Sequence, residues 1–564
     1  MNLAIIGATG NVGRKTIEIL ENSKIKIDNL FLVASKRSAG KRIKFKNRSL
    51  QVIPLEKFNF SKAKISFFAA GTHIAKKWII KASKKTIVID NSKFFRMKKE
   101  IPLVVPEVNS ETMKNHKNII SNPNCSTIQM VMVLKPLHKI YGVKRVVVST
   151  YQAVSGAGKA SMDELLDQTK KDRLAGCSVL VGRRGGVAYF DCTGMADKEL
   201  GKSFQRDTIV RIFSMTKPVT TVAAMMLYER GAFQLDDRVS KYLPEFAETP
   251  VWKGGNIENT EAQSTPMLVR HLMTHTSGLT YGFMQSNAVD ESYRKERIEF
   301  QGDHETLEEA VKRLARVPLI CQPGSQWNYS VSTDVLGRLV EVWSGLTLEE
   351  FMKKEIFDPL QMADTGFSVQ KKNIERFSAL YSPLHGGGGM SSIGSTSDEN
   401  SPERKGLKLE ESYSESRYLK PARMFSGGGG LVSSIDDYSN FCQMLMNGGE
   451  LKGQRLLGRK TVEHMRLNHL PENRDMAAMG QPVWSETSYD GIGFGLGFAV
   501  VLDPAKASIV ASVGEHHWGG AASTFFWLDP VEDLFVVFFT QLIPSSTYPI
   551  RRELRTRVYQ TLVE

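Results

Sequence analysis

The feature that most limits how this chain can fold is a change of character near residue 170. Residues 1–170 hold 31 Lys and Arg against 11 Asp and Glu, and 25 of those cations are Lys. Residues 171–564 hold 43 against 49, and their Lys and Arg number 18 and 25. A step in both charge and Lys:Arg usage reads as a join between two pieces of different history. Length points the same way: 564 residues exceed one ordinary core, since domains usually run to roughly 100–200 residues. With 41% hydrophobic and 24% charged residues, the composition is that of a globular protein.

The net charge of +14 raises the question of nucleic acid. The lysines are scattered, however, and no basic run interleaves with aromatics, so they read as solvated surface. The five cysteines, Cys125, Cys177, Cys192, Cys321 and Cys442, are odd in number, widely spaced and form no CxxC. That favours reduced thiols over a disulfide frame or a metal site. The N-terminus MNLAIIGATG lacks a basic leader region, and no run of about 18 apolar residues occurs. The expectation is a soluble cytoplasmic protein acting on small molecules, without nucleic acid, membrane or metal; the oligomeric state is left open.

The first piece alternates short apolar runs (Leu3–Ile6, Leu30–Ala34, Ile65–Ala69, Thr86–Ile89) with helical patterns such as Asn11–Leu20. This predicts a parallel sheet with helices on both faces. Between the first strand and helix stands Gly7-Ala8-Thr9-Gly10-Asn11-Val12-Gly13. Glycines there permit a tight turn and close backbone approach to a pyrophosphate at a helix N-terminus, although a purely structural turn would look alike. Ser35, Arg37 and Ser38 follow the second strand, where an acidic residue would select NAD. An arginine with two hydroxyls suits a 2′-phosphate, hence NADP. Val143–Ser149 reads as a further strand and Lys159–Lys170 as an amphipathic helix.

The stretches GATGNVG, ASKRSAG, VIDNSKFFRM, PLVVPEVN, SNPNCSTIQM and TYQAVSGAGKASMDEL together resemble the N-terminal part of aspartate-semialdehyde dehydrogenase. The resemblance implies that Cys125 is the thiol that attacks an aldehyde, with Asn124 beside it, Arg96 holding phosphate and Gln152 orienting the adduct. It ends after Thr169, before the histidine acid/base such an enzyme needs. Three divisions follow: an NADP-binding Rossmann-like domain over 1–134, a remnant of the dehydrogenase catalytic domain and junction over 135–171, and a second enzyme domain over 172–564. A strand at Val143–Ser149 without its parent sheet would be an exposed edge, so 135–170 is expected to pack loosely or to dock on the second domain.

In the second piece, Ser178–Arg183 and Gly186–Cys192 flank the turn Arg184-Gly185, and a long helix runs from Ser214 to about Glu229. Strands return at Gly493–Leu502, Ile509–Gly514, Ala522–Leu528 and Leu534–Thr540, with a closing helix at Leu554–Val563. Strands at both ends of a helical middle predict one antiparallel sheet with helices beside it. Asn400–Tyr418 reads as a polar surface excursion and Ser426–Gly430 as a structural loop.

Ser214-Met215-Thr216-Lys217 places an amine one helical turn from a hydroxyl. A serine is a poor nucleophile until a neighbouring base takes its proton, and a buried lysine can serve. Three further stretches accompany it: His271-Leu272-Met273-Thr274-His275-Thr276-Ser277-Gly278-Leu279, Pro323-Gly324-Ser325-Gln326-Trp327-Asn328-Tyr329-Ser330, and His516-His517-Trp518-Gly519-Gly520-Ala521. Glycines at the last strand edge would let a substrate carbonyl approach the backbone; His275 and Thr276 read as loop-shaping. In this order the four stretches resemble the serine β-lactamase-like superfamily, nearest its class C-related esterase branch.

The resemblance implies an α+β domain in which Ser214 is acylated, Lys217 is its base and Tyr329 a second acid/base. Val331 stands where a β-lactamase has Asn. The Lys-Thr-Gly motif is replaced by His517-Trp518-Gly519 or, in the preferred frame, Trp518-Gly519-Gly520. Losing that lysine removes a cation for a penicillin carboxylate and favours esters. The oxyanion hole would be the N–H groups of Ser214 and Ala521. The leading expectation is a serine hydrolase of esters or related acyl compounds, needing no cofactor. The alternatives place NADP-dependent dehydrogenase activity, or an NADP-binding regulatory module, in the N-terminal half.

Overall fold

The computed structural model describes residues 1–146, 169, 172–298, 300, 305–384, 406–480, 489–545 and 547–562. The chain divides into two compact units between residues 152 and 153.

The first unit is a Rossmann-like sheet of seven strands, ordered Arg42–Phe45, Arg48–Pro54, Asn29–Ala34, Asn2–Ile6, Ile65–Phe68, Ile87–Asp90 and Ile119–Ser121. All neighbours are parallel except the first pair, a hairpin at the edge. That hairpin escaped the sequence reading because its outward positions carry Arg42, Lys44, Ser49 and Gln51, and Arg48 opposite Phe45 interrupts the apolar face of Ile43, Phe45, Leu50 and Val52. Helix Thr72–Ser83 buries Ala75, Ile79 and Ala82, a stripe at helical spacing. Asn2–Ile6 lies between Asn29–Ala34 and Ile65–Phe68, so the chain order reverses at its end, where open α/β sheets bind ligands. The predicted Val143–Ser149 strand is not found where the structure describes it: Val143–Val146 has no strand pairing, and Val146 is 46% exposed. Residues 147–149, the predicted helix 159–170 apart from Thr169, and Gln152 lie outside the described residues.

The second unit is built on an eight-stranded antiparallel sheet, ordered Lys202–Ser203, Gly186–Asp197, Gly176–Arg183, Leu534–Thr540, Phe525–Asp529, His516–Gly519, Ala499–Val501 and Ile492–Phe494. The unit's first strand thus pairs with its last, Val181 opposite Val536. Arg184 and Gly185 turn the first hairpin, both at positive φ, as a two-residue hairpin requires. Leu534–Thr540 is a continuous apolar run because both of its faces are covered. Phe535, Val537 and Phe539 enter the large core with helix Thr216–Glu229. Val536 and Phe538 pack with Ile550, Leu554 and Val558 of the last helix, Ile550–Tyr559.

Three expectations need correction. Gly493–Leu502 is two short strands, Ile492–Phe494 and Ala499–Val501, folded on each other at Gly497. A Cβ on Gly497 would lie 2.4 Å from Thr221 Oγ1, so the chain bends to seat on the central helix. Ile509–Gly514 is not a strand; Val510 and Val513 are exposed, and pairing begins at His516. The Asn400–Tyr418 excursion is not all surface: Leu407–Glu411 pairs with Leu380–Pro383, and Tyr418 is 3% exposed. Charge masks these contacts in the sequence, because Glu411 is used to pair the buried Arg211 at 2.6 Å.

Candidate active site

Strand Val210–Arg211 runs into Phe213, whose φ of 43° is in the left-handed region. Such backbone is costly for a bulky residue; it turns the chain sharply into the short helical turn Phe213–Met215, with Ser214 at its middle. Lys217 follows within helix Thr216–Glu229, of which every residue from Thr216 to Leu227 is buried.

Ser214 Oγ accepts from Tyr329 OH at 2.5 Å and from Lys217 Nζ at 3.2 Å. Lys217, 1% exposed, also donates to Tyr281 OH at 3.0 Å and to the Gly428 carbonyl at 2.7 Å. Its Nζ stands 4.7 Å from the Tyr329 ring centre. Burial pushes the Lys217 amine down to about 7, against an opposing pull from Asp334. Burial pushes the Tyr329 phenol up, hydrogen bonding to Ser214 being the largest of the opposing influences. Near neutrality the lysine is therefore the group that can be a base while the phenol keeps its proton.

Tyr329 is aimed by two interlocked loops. Asn328 N–H donates to the His275 carbonyl at 2.7 Å, Asn328 Nδ2 to Leu279 O at 2.7 Å, and Val331 N–H to Thr280 O at 3.2 Å. His275, at φ 55°, has Nδ1 3.2 Å from Ser330 Oγ; burial and the neighbouring Lys217 keep its imidazole neutral.

Two contributors were not singled out from the sequence, and a third was read as structural. Tyr281 follows the His271–Leu279 stretch with no spacing to mark it. Asp334 lies in the first turn of helix Ser332–Ser344; buried, it accepts from Ser426 Oγ at 2.6 Å and Gly428 N–H at 3.0 Å. Ser426–Gly430, expected as a structural loop, supplies the carbonyl on Lys217. Its glycines are a packing requirement: a Cβ on Gly428 would lie 2.4 Å from Asp334 Oδ2, and one on Gly427 2.6 Å from Thr333 O.

Trp518 is buried with its ring 5.6 Å from that of Tyr329. The glycines after it do not leave open space for a substrate, as the sequence suggested. A Cβ on Gly519 would lie 2.7 Å from the Arg551 guanidinium, and one on Gly520 2.2 Å from Thr524 Oγ1 and 2.4 Å from Ile212 O. They draw the strand end against the nucleophile's turn, and Ala521 packs in one cluster with Phe213.

In the first unit, Gly7 has φ 89° and a Cβ there would lie 2.6 Å from Ala69 O; one on Gly13 would lie 2.2 Å from Gly7 O. Gly10 N–H donates to Gly7 O at 3.0 Å, and helix Asn11–Glu21 follows, with Val12 exposed. Thr9 Oγ1 donates to Ser38 Oγ at 3.3 Å, with Ser35 exposed nearby in sequence. Arg96 donates Nε to Asn122 O at 3.0 Å and Nη2 to Asn91 O at 3.1 Å. Cys125 opens helix Cys125–Tyr141.

A serine with a buried lysine and a phenol, set between a mixed helical region and an antiparallel sheet, defines the serine β-lactamase-like class of hydrolase. The chain belongs to the beta-lactamase family, which it matches over residues 162–560, and residues 2–116 match the semialdehyde dehydrogenase NAD binding domain. Protein Rv1367c of Mycobacterium tuberculosis is 32% identical over 394 residues, covering 69% of this chain and 90% of that protein. The structure of EstCE1, a hydrolase with promiscuous acyltransferase activity, is 28% identical with a TM-score of 0.57, covering 71% of this chain and 97% of that one. Aspartate-semialdehyde dehydrogenase of Rickettsia bellii is 52% identical over 172 residues, covering 30% of this chain. The chain spans about half the length of that relative, 51%. The protein is thus a serine hydrolase-type enzyme domain joined to a dinucleotide-binding domain of dehydrogenase type. No helix among the described residues is long and apolar enough to cross a membrane.

Proposed function

We propose that the second unit hydrolyses small-molecule esters or related acyl compounds through an acyl-serine intermediate. One observation carries this: a lysine amine held by burial near 7 stands 3.2 Å from Ser214 Oγ. Neutral Lys217 takes the Ser214 proton as Oγ attacks the substrate carbonyl. The N–H groups of Ser214 and Ala521 receive the oxyanion; such donors are typically worth about 3 kcal/mol each. The tetrahedral adduct collapses with the Tyr329 phenol giving its proton to the leaving alkoxide; the Tyr329 phenolate, or Lys217 once it has passed its proton to that phenolate, then deprotonates the attacking water, and Lys217 returns a proton to Ser214 Oγ as the acid leaves. Val331 and the missing Lys-Thr-Gly lysine favour esters over lactams. The likeness to EstCE1, a hydrolase with promiscuous acyltransferase activity, supports acyl transfer to an acceptor other than water as a side reaction of the same acyl-serine. The test is hydrolysis of p-nitrophenyl acetate, which Ser214→Ala should abolish; an undiminished rate in that variant would overturn the reading.

We further propose that the first unit binds NADP at the Gly7–Gly13 turn. The fit rests on the Thr9 and Ser38 hydroxyls facing each other across the mouth of the sheet, with Gly7 and Gly13 packing the turn tightly. Bound there, NADP could accept a hydride; Ser35, Arg37 and Ser38 would hold its 2′-phosphate and Arg96 a substrate phosphate. Titration of the full chain should show NADPH binding more tightly than NADH, a preference lost in Arg37→Ala. Equal affinities in the unaltered chain would sink it.

A further inference from the structure

The amide that would present Ala521 N–H to an oxyanion has its other end gripped from behind. Its carbonyl is that of Gly520, which accepts Arg551 Nη2 at 3.0 Å and Ser523 N–H at 3.1 Å. Arg551, in helix Ile550–Tyr559, also donates Nη2 to Thr524 O at 3.1 Å. The same Thr524 carbonyl accepts Gly520 N–H at 2.9 Å, so one guanidinium ties both ends of the Gly520–Thr524 turn. A Cβ on Gly519 would stand 2.7 Å from each of Cζ, Nη1 and Nη2, which places Gly519 against the guanidinium face. The Phe525 ring centre lies 5.1 Å from Cζ. Gly519 is thus small because the cation occupies the space a side chain would need.

A hydrogen bond from a cation to an amide oxygen draws electron density toward that oxygen and makes the amide's own N–H a stronger donor. It also fixes the amide plane. We propose that Arg551 is a positioning residue for the oxyanion hole, orienting and polarising the Gly520–Ala521 amide toward the negative oxygen of the tetrahedral intermediate. The inference rests on the acyl-serine reading above and deepens it: the last helix, remote in sequence from Ser214, tunes the acylation step. Arg551 also acts on Tyr329, as one of the weaker influences that oppose the upward push of burial on that phenol.

The test uses the full chain, p-nitrophenyl acetate and the matching thionoester, whose sulfur accepts hydrogen bonds poorly. Arg551→Met should lower kcat on the ester by about 10-fold to 100-fold, somewhat less than loss of an oxyanion donor, with KM within about twofold. The thionoester should slow much less, so the preference for oxygen narrows. Arg551→Lys should recover part of the loss, and Gly519→Ala should mimic Arg551→Met by displacing the guanidinium. Equal slowing of both substrates, or an unchanged kcat, would overturn the proposal. Failure of the hydrolase reading shows itself separately, as ester hydrolysis that survives Ser214→Ala.

Discussion

Lys217 and Asp334 are joined through a single residue: the Gly428 carbonyl accepts from Lys217 Nζ at 2.7 Å, and the Gly428 N–H donates to Asp334 Oδ1 at 3.0 Å. The base and the carboxylate that bears on it electrostatically are thus fixed by one glycine. Burial pushes the amine down to about 7 and Asp334 pulls it back up. Because neutral Lys217 is the active form, kcat/KM should rise with pH through about 7, falling about tenfold per unit below it. Asp334→Asn keeps the hydrogen-bonding shape and removes the charge, so the acid limb should move to lower pH. A pH–rate profile measures this; a limb that stays put or moves up would remove Asp334 from the account.

Gly428 itself has no room to change. A Cβ at this position would meet Asp334 Oδ2 at 2.4 Å and Cγ at 3.0 Å. Gly428→Ala should cost about 1–3 kcal/mol of stability through overpacking and lower kcat by displacing the carbonyl from Lys217. Thermal unfolding and steady-state rates together check it. Wild-type stability with wild-type kcat would mean that the loop yields without cost.

The two phenols around Lys217 should separate by role. Tyr329 OH reaches Ser214 Oγ, whereas Tyr281 OH accepts from Lys217 Nζ and hydrogen-bonds to Tyr329, one step removed from the reacting oxygen. Tyr329→Phe removes a proton donor at the reacting oxygen and should lower kcat by about 10²–10⁴-fold. Tyr281→Phe removes one acceptor from the ammonium and should cost less than about tenfold. Burst kinetics with p-nitrophenyl acetate give both numbers; similar losses would contradict the assignment.

What could be read from residues alone was local. Ser214 and Lys217 are three apart on one helix, so their meeting follows from helical geometry, and the Arg184-Gly185 turn announced its hairpin. The fold class was legible too, because Leu3–Ile6 and Leu534–Thr540 are apolar runs that only a covered sheet can use. Contacts made across long separations were not legible. Asp334 and Gly428 are joined by a carboxylate and a backbone N–H, which leave no periodic mark. Arg551 lies far along the chain from Ser214, and its partners are carbonyls that every residue carries. Tyr281 is an aromatic among many until the loop around His275 turns it inward. The Gly493–Leu502 run failed for a related reason: its alternation suits a strand, yet Gly495 and Gly497 allow a fold-back that only Thr221 and Met465 make necessary.

Arg211 offers a test of the corrected Leu407–Tyr418 region. The side chain is 0% exposed and holds Glu411 at 2.6 Å, with further acceptors at Ser378 O and Gln541 Oε1. Removing the carboxylate leaves a buried guanidinium short of charge compensation, which usually costs about 3–5 kcal/mol. Glu411 is 31% exposed, so solvent screening reduces this, and Glu411→Ala should cost about 2 kcal/mol. For Glu411, burial pushes the carboxyl up, but the Arg211 charge and the hydrogen bonds from Ser416 and Arg211 outweigh it and hold the group below its ordinary value. A depressed carboxyl stabilises the fold above its ordinary titration range, and that contribution is lost as pH falls through the lowered one. Urea unfolding of both proteins should therefore show a gap that is full at pH 7 and narrows in acid. A gap that stays constant down to pH 3 would mean that Arg211 is held by its carbonyl partners alone, and that the strand pairing of Leu407–Glu411 with Leu380–Pro383 does not depend on the ion pair.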